Sequence, residues 1–397
     1  MSNARFSNKS RFGGPSRFGG GRGGFRGRGV PIVPIHSFIK KASVQVQAQP
    51  VVAPTVSIET LLIDQRLKNN ILSRGYKLLM PIQEKAIPPI LEGKDIIGIA
   101  NTGTGKTAAF LIPIIQHVIE NPNYKTLIIT PTRELALQIQ EELRRFTQGI
   151  RLNSTFCIGQ SSMRNQIYDL RRNPHVVIGT PGRLKDLIER RILNLSVFSM
   201  IVLDEVDQML DMGFINDVKH IISFLPAKRQ SLFFSATVSP EINRIIQTFV
   251  TNPVTISVKT QETVSHIRQD VVKVDSGRTK IQVLDELLKK DEFRKVLVFG
   301  RTKFGVERLG QELFRKGFKV TSIHGDKPQV KRQQAIRMFK DDVVNVMIAT
   351  DVAARGLDIH DVTHVINYDP PATYEDYIHR IGRTGRANKT GTALTFV

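Results

Sequence analysis

A chain of 397 residues with 41% hydrophobic and 23% charged side chains is long enough for two or three domains and excludes a small disulfide-stapled scaffold. Its single cysteine, Cys157, has no partner for an internal bridge; no apolar run approaches the roughly 18 residues of a membrane span, and no charged start followed by an apolar stretch reads as a secretory signal. A reducing intracellular setting without a membrane is expected, while 57 Lys and Arg against 36 Asp and Glu give a formal net charge of +21, a surplus that attracts polyanions.

From Met1 to about Gly29 the sequence is Gly, Arg, Ser and Phe, with Arg-Phe recurring at 5–6, 11–12 and 17–18; the first 50 residues hold nine basic side chains and no acidic one. Such a segment buries too little apolar surface to offset its chain entropy and reads as disordered. Its Arg and Phe suit an arm that pairs with phosphates and stacks on bases. A solubilising tail is the plain alternative, and an organelle transit peptide is a third reading that the nine glycines between Gly13 and Gly29 oppose. Residues 30–55, rich in Pro, Val and Gln, read as a linker.

Beyond residue 55, short β-rich runs alternate with helical periodicity, the signature of parallel sheets covered by helices. Strands are predicted at 96–100, 126–130, 176–179, 201–204, 232–235 and 254–258, with helices after Gly105 and at Glu134. The alternation restarts near Asp270, with strands at 296–299, 320–323, 344–349, 364–368 and 392–397. The predicted organisation is a tail and linker (1–55) followed by two α/β domains (56–259 and 260–397), joined where Lys259–His266 lacks an apolar period.

Two patterns carry chemistry. Ala100-Asn101-Thr102-Gly103-Thr104-Gly105-Lys106-Thr107 follows an apolar strand and opens a helix, the setting of a phosphate-binding loop. Glycines at 103 and 105 let backbone N–H groups cradle phosphate oxygens at the positive end of the helix, Lys106 reaches the β- and γ-phosphates, and Thr107 ligates Mg²⁺. Apolar Ile201-Val202-Leu203 then runs into Asp204-Glu205-Val206-Asp207, and carboxylates at the end of such a strand are costly unless they are used. Asp204 is the predicted Mg²⁺ ligand, through water, and Glu205 is placed to polarise an attacking water.

With the motifs that accompany them, these patterns resemble the DEAD-box family of ATP-dependent RNA helicases, within helicase superfamily 2. The likeness runs from about Ser57 to Val397. It rests on Gly75-Tyr76 through Pro81-Ile82-Gln83, the phosphate loop, Pro131-Thr132-Arg133-Glu134-Leu135-Ala136, Thr180-Pro181-Gly182-Arg183, the acidic box in an Asp-Glu-Val-Asp form, Ser235-Ala236-Thr237, Ala349-Thr350-Asp351 to Arg355-Gly356-Leu357-Asp358, and His379-Arg380-Ile381-Gly382-Arg383-Thr384-Gly385-Arg386. The resemblance implies two tandem RecA-like domains that close on ATP, Mg²⁺ and RNA together, in a monomer of the cytoplasm (the nucleus too, if the source is eukaryotic) that works among the protein partners of RNA-remodelling complexes.

Site roles follow from the same likeness. The carboxamide of Gln83 matches the N6 and N7 edge of adenine. Thr102, Gly103, Thr104, Gly105, Lys106 and Thr107 hold the phosphates, and Asp358 contacts the ribose. Arg383 and Arg386 act as arginine fingers in cis once the domains close, with His379 among the catalytic residues. Asp207, Ser235, Thr237 and Arg355 couple the two domains. Pro131, Thr132, Arg133, Thr180, Gly182, Arg183, Arg301, Thr302, Gln329, Arg332 and Thr350 grip the RNA backbone, so binding is sequence-tolerant.

Four departures stand out: Val206 in place of alanine, Leu79-Met80 in place of Pro-Thr, Gln160 where a second glycine is usual, and Ile58 where the family has an aromatic ring near adenine. The last predicts looser ATP binding that Ile58→Phe improves. The expected activity is RNA-stimulated ATP hydrolysis that opens short duplexes or strips proteins from RNA. The rivals are an RNA clamp with vestigial hydrolysis and a DNA-directed helicase.

Overall fold

The computed structural model describes residues 35–44, 56–101, 103–237, 240–258, 266–354, 359, 361–385 and 390–397, all within one compact unit, Pro34–Val397. The Arg-Phe arm, residues 45–55, most of the predicted link at 259–266, and the site candidates Thr102, Arg355, Asp358 and Arg386 lie outside the described residues.

Two parallel sheets organise the chain. The first contains β1 (Ile96–Ala100), β2 (Thr126–Ile129), β3 (Ser154–Cys157), β4 (Val176–Gly179), β5 (Met200–Asp204), β6 (Gln230–Ser235) and β7 (Val254–Val258), in the order β3-β4-β2-β5-β6-β1-β7. Along β5, Met200 and Val202 join one apolar core while Ile201 and Leu203 join the other, because successive side chains point to opposite faces. Both faces are covered by helices, which is why these strands read as unbroken apolar runs.

The second sheet contains β8 (Ile267–Val272), β9 (Val296–Phe299), β10 (Val320–Ile323), β11 (Val346–Ala349), β12 (His364–Asn367) and β13 (Gly391–Phe396), in the order β10-β11-β9-β12-β13-β8, again between two cores. β3 and β8 are additions to the sequence-predicted strands. A helix at Ile35–Val44 replaces part of the predicted linker and packs on the second domain. Among the described residues no helix is long and apolar enough to cross a membrane.

Strand order sorts the motifs. The phosphate loop, the acidic box and Ser235-Ala236-Thr237 leave the carboxyl ends of β1, β5 and β6, three neighbouring strands. The Pro131, Gly159 and Thr180 loops leave β2, β3 and β4, the other half of the same edge. Carboxyl ends of parallel strands are where open α/β sheets bind ligands.

Candidate functional site

At the end of β1 the chain turns through Gly103 (φ +85°) and Gly105 (φ +89°) before the helix Lys106–Glu120 starts. A Cβ on Gly105 would collide with the Gln83 carboxamide, so glycine is required there by space as well as by φ. Gln83 Nε2 donates to the Gly105 carbonyl at 3.1 Å and its Oε1 accepts from the Met80 N–H at 2.9 Å. Gln83 is 1% exposed, and through these two bonds it ties the start of its helix to the phosphate loop.

Lys106 is 6% exposed, and its Nζ has no hydrogen-bond partner among the described residues. A buried ammonium is costly unless an anion meets it. With the helix N-terminus beneath it, the loop is shaped for phosphate.

β5 delivers the carboxylates beside it. Asp204, Glu205 and Asp207 are all buried, and the Glu205 N–H donates to Asp204 Oδ1 at 3.0 Å. Glu205 has φ +56°, a left-handed conformation that costs a non-glycine residue about 1–2 kcal/mol and is found where surroundings enforce it. Its Oε2 has no hydrogen-bond partner among the described residues. Burial and then the adjacent Asp204 push Glu205 up to about 7, while Lys106 and Arg383 oppose the shift. Burial likewise raises Asp204, against the pull of Lys106. Glu205 thus feels a cation from each domain.

Asp207 fastens the acidic turn to the next strand end. Its Oδ2 accepts from the N–H groups of Ala236 and Thr237 at 3.0 Å each and from Thr237 Oγ1 at 3.2 Å, and Ser235 Oγ accepts from the Asp207 N–H at 3.3 Å. Val206 is 1% exposed and packed into the second core of its domain, so its bulk is accommodated. Half-buried Thr107 lies one residue beyond Lys106.

In the second domain the helix Tyr374–Ile381 carries His379 and Arg380. Arg380 is structural: its fork meets Asp351 at 2.5 and 2.8 Å, and Nη1 donates to Asn367 Oδ1 and the Asp369 carbonyl. Arg383, 4% exposed, donates from Nε to the His379 carbonyl at 3.3 Å.

A cleft of about 360 Å³ lies between the domains, lined by Pro131, Thr132, Arg133, Thr180, Gly182 and Arg183 on one side and by Gly325 and Arg332 on the other. Burial, then the Arg332 charge, press Arg133 below its ordinary value, with Glu134 opposing the shift and Arg183 adding to it. Thr132 and Thr302 cap the helices they open, accepting from Leu135 and Gly305 N–H groups at 3.3 and 3.0 Å; Thr180 makes no such bond. Arg301 and Thr302 are exposed, and Thr350 is 8% exposed.

Gln329 and Arg332 occupy an unexpected place. Both are buried, and they donate to Glu134 Oε1 at 3.0 Å and Oε2 at 2.8 Å respectively, from the second domain to the first. Glu134, which the sequence motif contains but does not single out, is the acceptor of this link. Gln160 forms a second one: at φ +55° its Oε1 accepts from Arg133 Nη1 at 2.5 Å and its Nε2 donates to the Gly325 carbonyl at 3.4 Å.

The expectation for Ile58 is corrected. It is 0% exposed within the first core, in a 3₁₀ turn whose N–H reaches the Lys77 carbonyl, and has no face to offer adenine. Ile58→Phe should therefore overpack the core by about 1–3 kcal/mol. It should lower the denaturation midpoint and leave the Michaelis constant for ATP unimproved; a tighter constant at unchanged stability would contradict the burial.

Comparison with known proteins places these features in context. The description DEAD/DEAH box helicase matches residues 80–245, and Helicase conserved C-terminal domain matches residues 279–388. A DEAD-box ATP-dependent RNA helicase CshA of Bacillus licheniformis is 46% identical over 345 residues, 86% of this chain and 71% of that protein. Among solved structures, Saccharomyces cerevisiae Dbp5 bound to RNA and ADP BeF3 matches with TM-score 0.77 at 31% identity, covering 86% of this chain and 90% of that one. A DEAD box protein from Methanococcus jannaschii is nearer in sequence, 38%, yet has TM-score 0.51 with 87% and 94% covered.

Proposed function

This chain belongs to the DEAD-box family of ATP-dependent RNA helicases and is an ATP-hydrolysing enzyme of that kind; from this premise we propose how its residues divide the work. The observation that carries the reading is the pair of buried groups at one strand edge that make no hydrogen bond among the described residues, Lys106 Nζ and Glu205 Oε2, a cation for the phosphates and a carboxylate for the attacking water. Arg383 supplies charge from the second domain as the γ-phosphate bond breaks. Asp204 and Thr107 would hold Mg²⁺, which would supply positive charge against the phosphates.

Residues 56–259 and 260–397 are the two domains of this proposal, and 1–55 its basic arm and linker. The cleft of Arg133, Arg183 and the loops around them takes the RNA backbone. Arg332 and Gln329 serve closure through Glu134, and Asp207 transmits the state of the acidic turn to Ser235 and Thr237. The similarity in domain setting to an RNA-bound, ADP BeF3-bound relative supports reading this arrangement as the closed one. One closure covers few nucleotides, and a base-pair step costs on average roughly 1.4 kcal/mol in DNA, so unwinding is local. The protein acts as a monomer in the cytoplasm with partners of RNA remodelling.

Steady-state phosphate release with RNA, with DNA of the same sequence and with neither tests the reading. RNA alone is expected to stimulate strongly, and strand separation to fall steeply beyond about one helical turn. Equal stimulation by DNA, or efficient opening of long duplexes with strict end polarity, would favour a translocating helicase.

A further inference from the structure

The helix Ile35–Val44 precedes the first domain in sequence but packs on the second. Its apolar residues Ile35, Phe38, Ile39 and Ala42 recur at i, i+3, i+4 and i+7 and form one stripe. Ile35 is 3% and Ala42 0% exposed, and Phe38 and Ile39 pack on the core beside Ala353 and Tyr377. The Phe38 ring lies 5.6 Å from that of Tyr374, edge to face, and 6.0 Å from that of Tyr377. His36 and Lys40 face outward. Both tyrosines belong to the helix Tyr374–Ile381, the element that carries His379 and Arg380 and leads to Arg383.

Ten residues are too few to hold a helix alone in water, and the first turn carries no acidic residue. The helix therefore exists because it is docked. Its carboxyl end is joined to the first domain by residues 45–55, a connection that extends at most about 40 Å. The two domains are consequently linked twice, once by the covalent stretch near residue 260 and once through this docked helix.

We propose that the helix Ile35–Val44 is a brace, with Phe38 as its positioning residue, that limits how far the domains separate and so favours closure on RNA and ATP. A second link raises the effective concentration of one domain at the other without adding any contact to either ligand. By linkage the gain is shared: RNA and ATP affinities rise together. The inference rests on the RNA-dependent ATPase reading for its effect on turnover, but not for its effect on domain separation.

The test uses the full chain with labels on Ser196→Cys and Lys290→Cys, both exposed positions in different domains; the natural Cys157 is buried. Interdomain distances are measured by pulsed dipolar spectroscopy, without ligand and with single-stranded RNA plus a non-hydrolysable ATP analogue. The charge-neutral double variant Phe38→Ser with Ala42→Gln is expected to extend the ligand-free distribution to longer distances. It should require about 5- to 10-fold more RNA, and as much more analogue, to reach the short distance. Phe38→Leu should behave as wild type, and the kcat at saturation should stay within about twofold in all variants. Identical distances and RNA requirement in wild type and double variant would overturn the brace. So would a fall in kcat at unchanged distances, since the helix would then only buttress Tyr374–Ile381. A wild-type chain that closes on RNA and analogue yet never turns over ATP would refute the ATPase reading and leave the brace standing.

Discussion

Lys106→Ala should reduce ATP turnover by at least about 100-fold, the scale of losing one charge-stabilising donor, and should do so without lowering the melting transition of the ligand-free protein. The ammonium is buried with no hydrogen-bond partner among the described residues, so its removal breaks no hydrogen bond and relieves a desolvation cost, which offsets the lost attraction to Asp204 and Glu205. Alanine is also at least as good a helix former at the start of Lys106–Glu120. Nucleotide should stabilise the wild type, since it binds the native state alone, and fail to stabilise the variant. Phosphate release together with melting curves in the presence and absence of ATP checks both halves. A variant that melts well below wild type would mean Lys106 is part of the fold.

Glu134→Gln is the second large effect. In the closed arrangement one carboxylate accepts from both Gln329 and Arg332 of the other domain, with side-chain exposures of 2% for Glu134 and 7% for Arg332. When the domains part, every one of these groups returns to water, so the bond strengthens closure and not the fold of either domain. Leaving a buried charge without its partner costs about 3–5 kcal/mol. The half-saturating RNA concentration should therefore rise by roughly two to four orders of magnitude, with kcat approached only at very high RNA. Arg332→Ala added to Glu134→Gln should cost less than the sum of the single changes, because the stranded guanidinium is gone. An unchanged RNA requirement in Glu134→Gln would return Arg332 to RNA contact alone.

The central strands were legible because both of their faces are apolar, and the end strands β7 and β10 were legible as short runs rich in β-branched residues. The end strands β3 and β8 were not, because β3 is a four-residue Ser-Thr-Phe-Cys run and β8 reads Ile-Arg-Gln-Asp-Val-Val, polar residues that an edge tolerates. The phosphate loop and acidic box were legible because their chemistry is local, a few residues at one turn. Glu134 was not, since its partner stands 198 residues away and no spacing within either motif reveals that they meet. Helix Ile35–Val44 was hidden for a related reason: its apolar stripe makes sense only against Tyr374 and Tyr377. Ile58 misled in the opposite sense, because a position aligned with an aromatic was read as facing ligand when the chain uses it as core.

The arrangement of loops along the first sheet has a consequence for signalling. Nucleotide loops hang from β1, β5 and β6, and the polar cleft loops from β2, β3 and β4, all on one edge of a parallel sheet packed on both faces. Close-packed interiors of this kind resist bending, so occupancy at one half of the edge has little mechanical route to the other through the sheet itself. The second domain touches both halves, through Arg383 near Glu205 and through Arg332 at Glu134. On the proposed assignment of sites the second domain is thus placed to register both occupants at once, and a lone first domain is expected to bind either ligand without its affinity for one responding to the other.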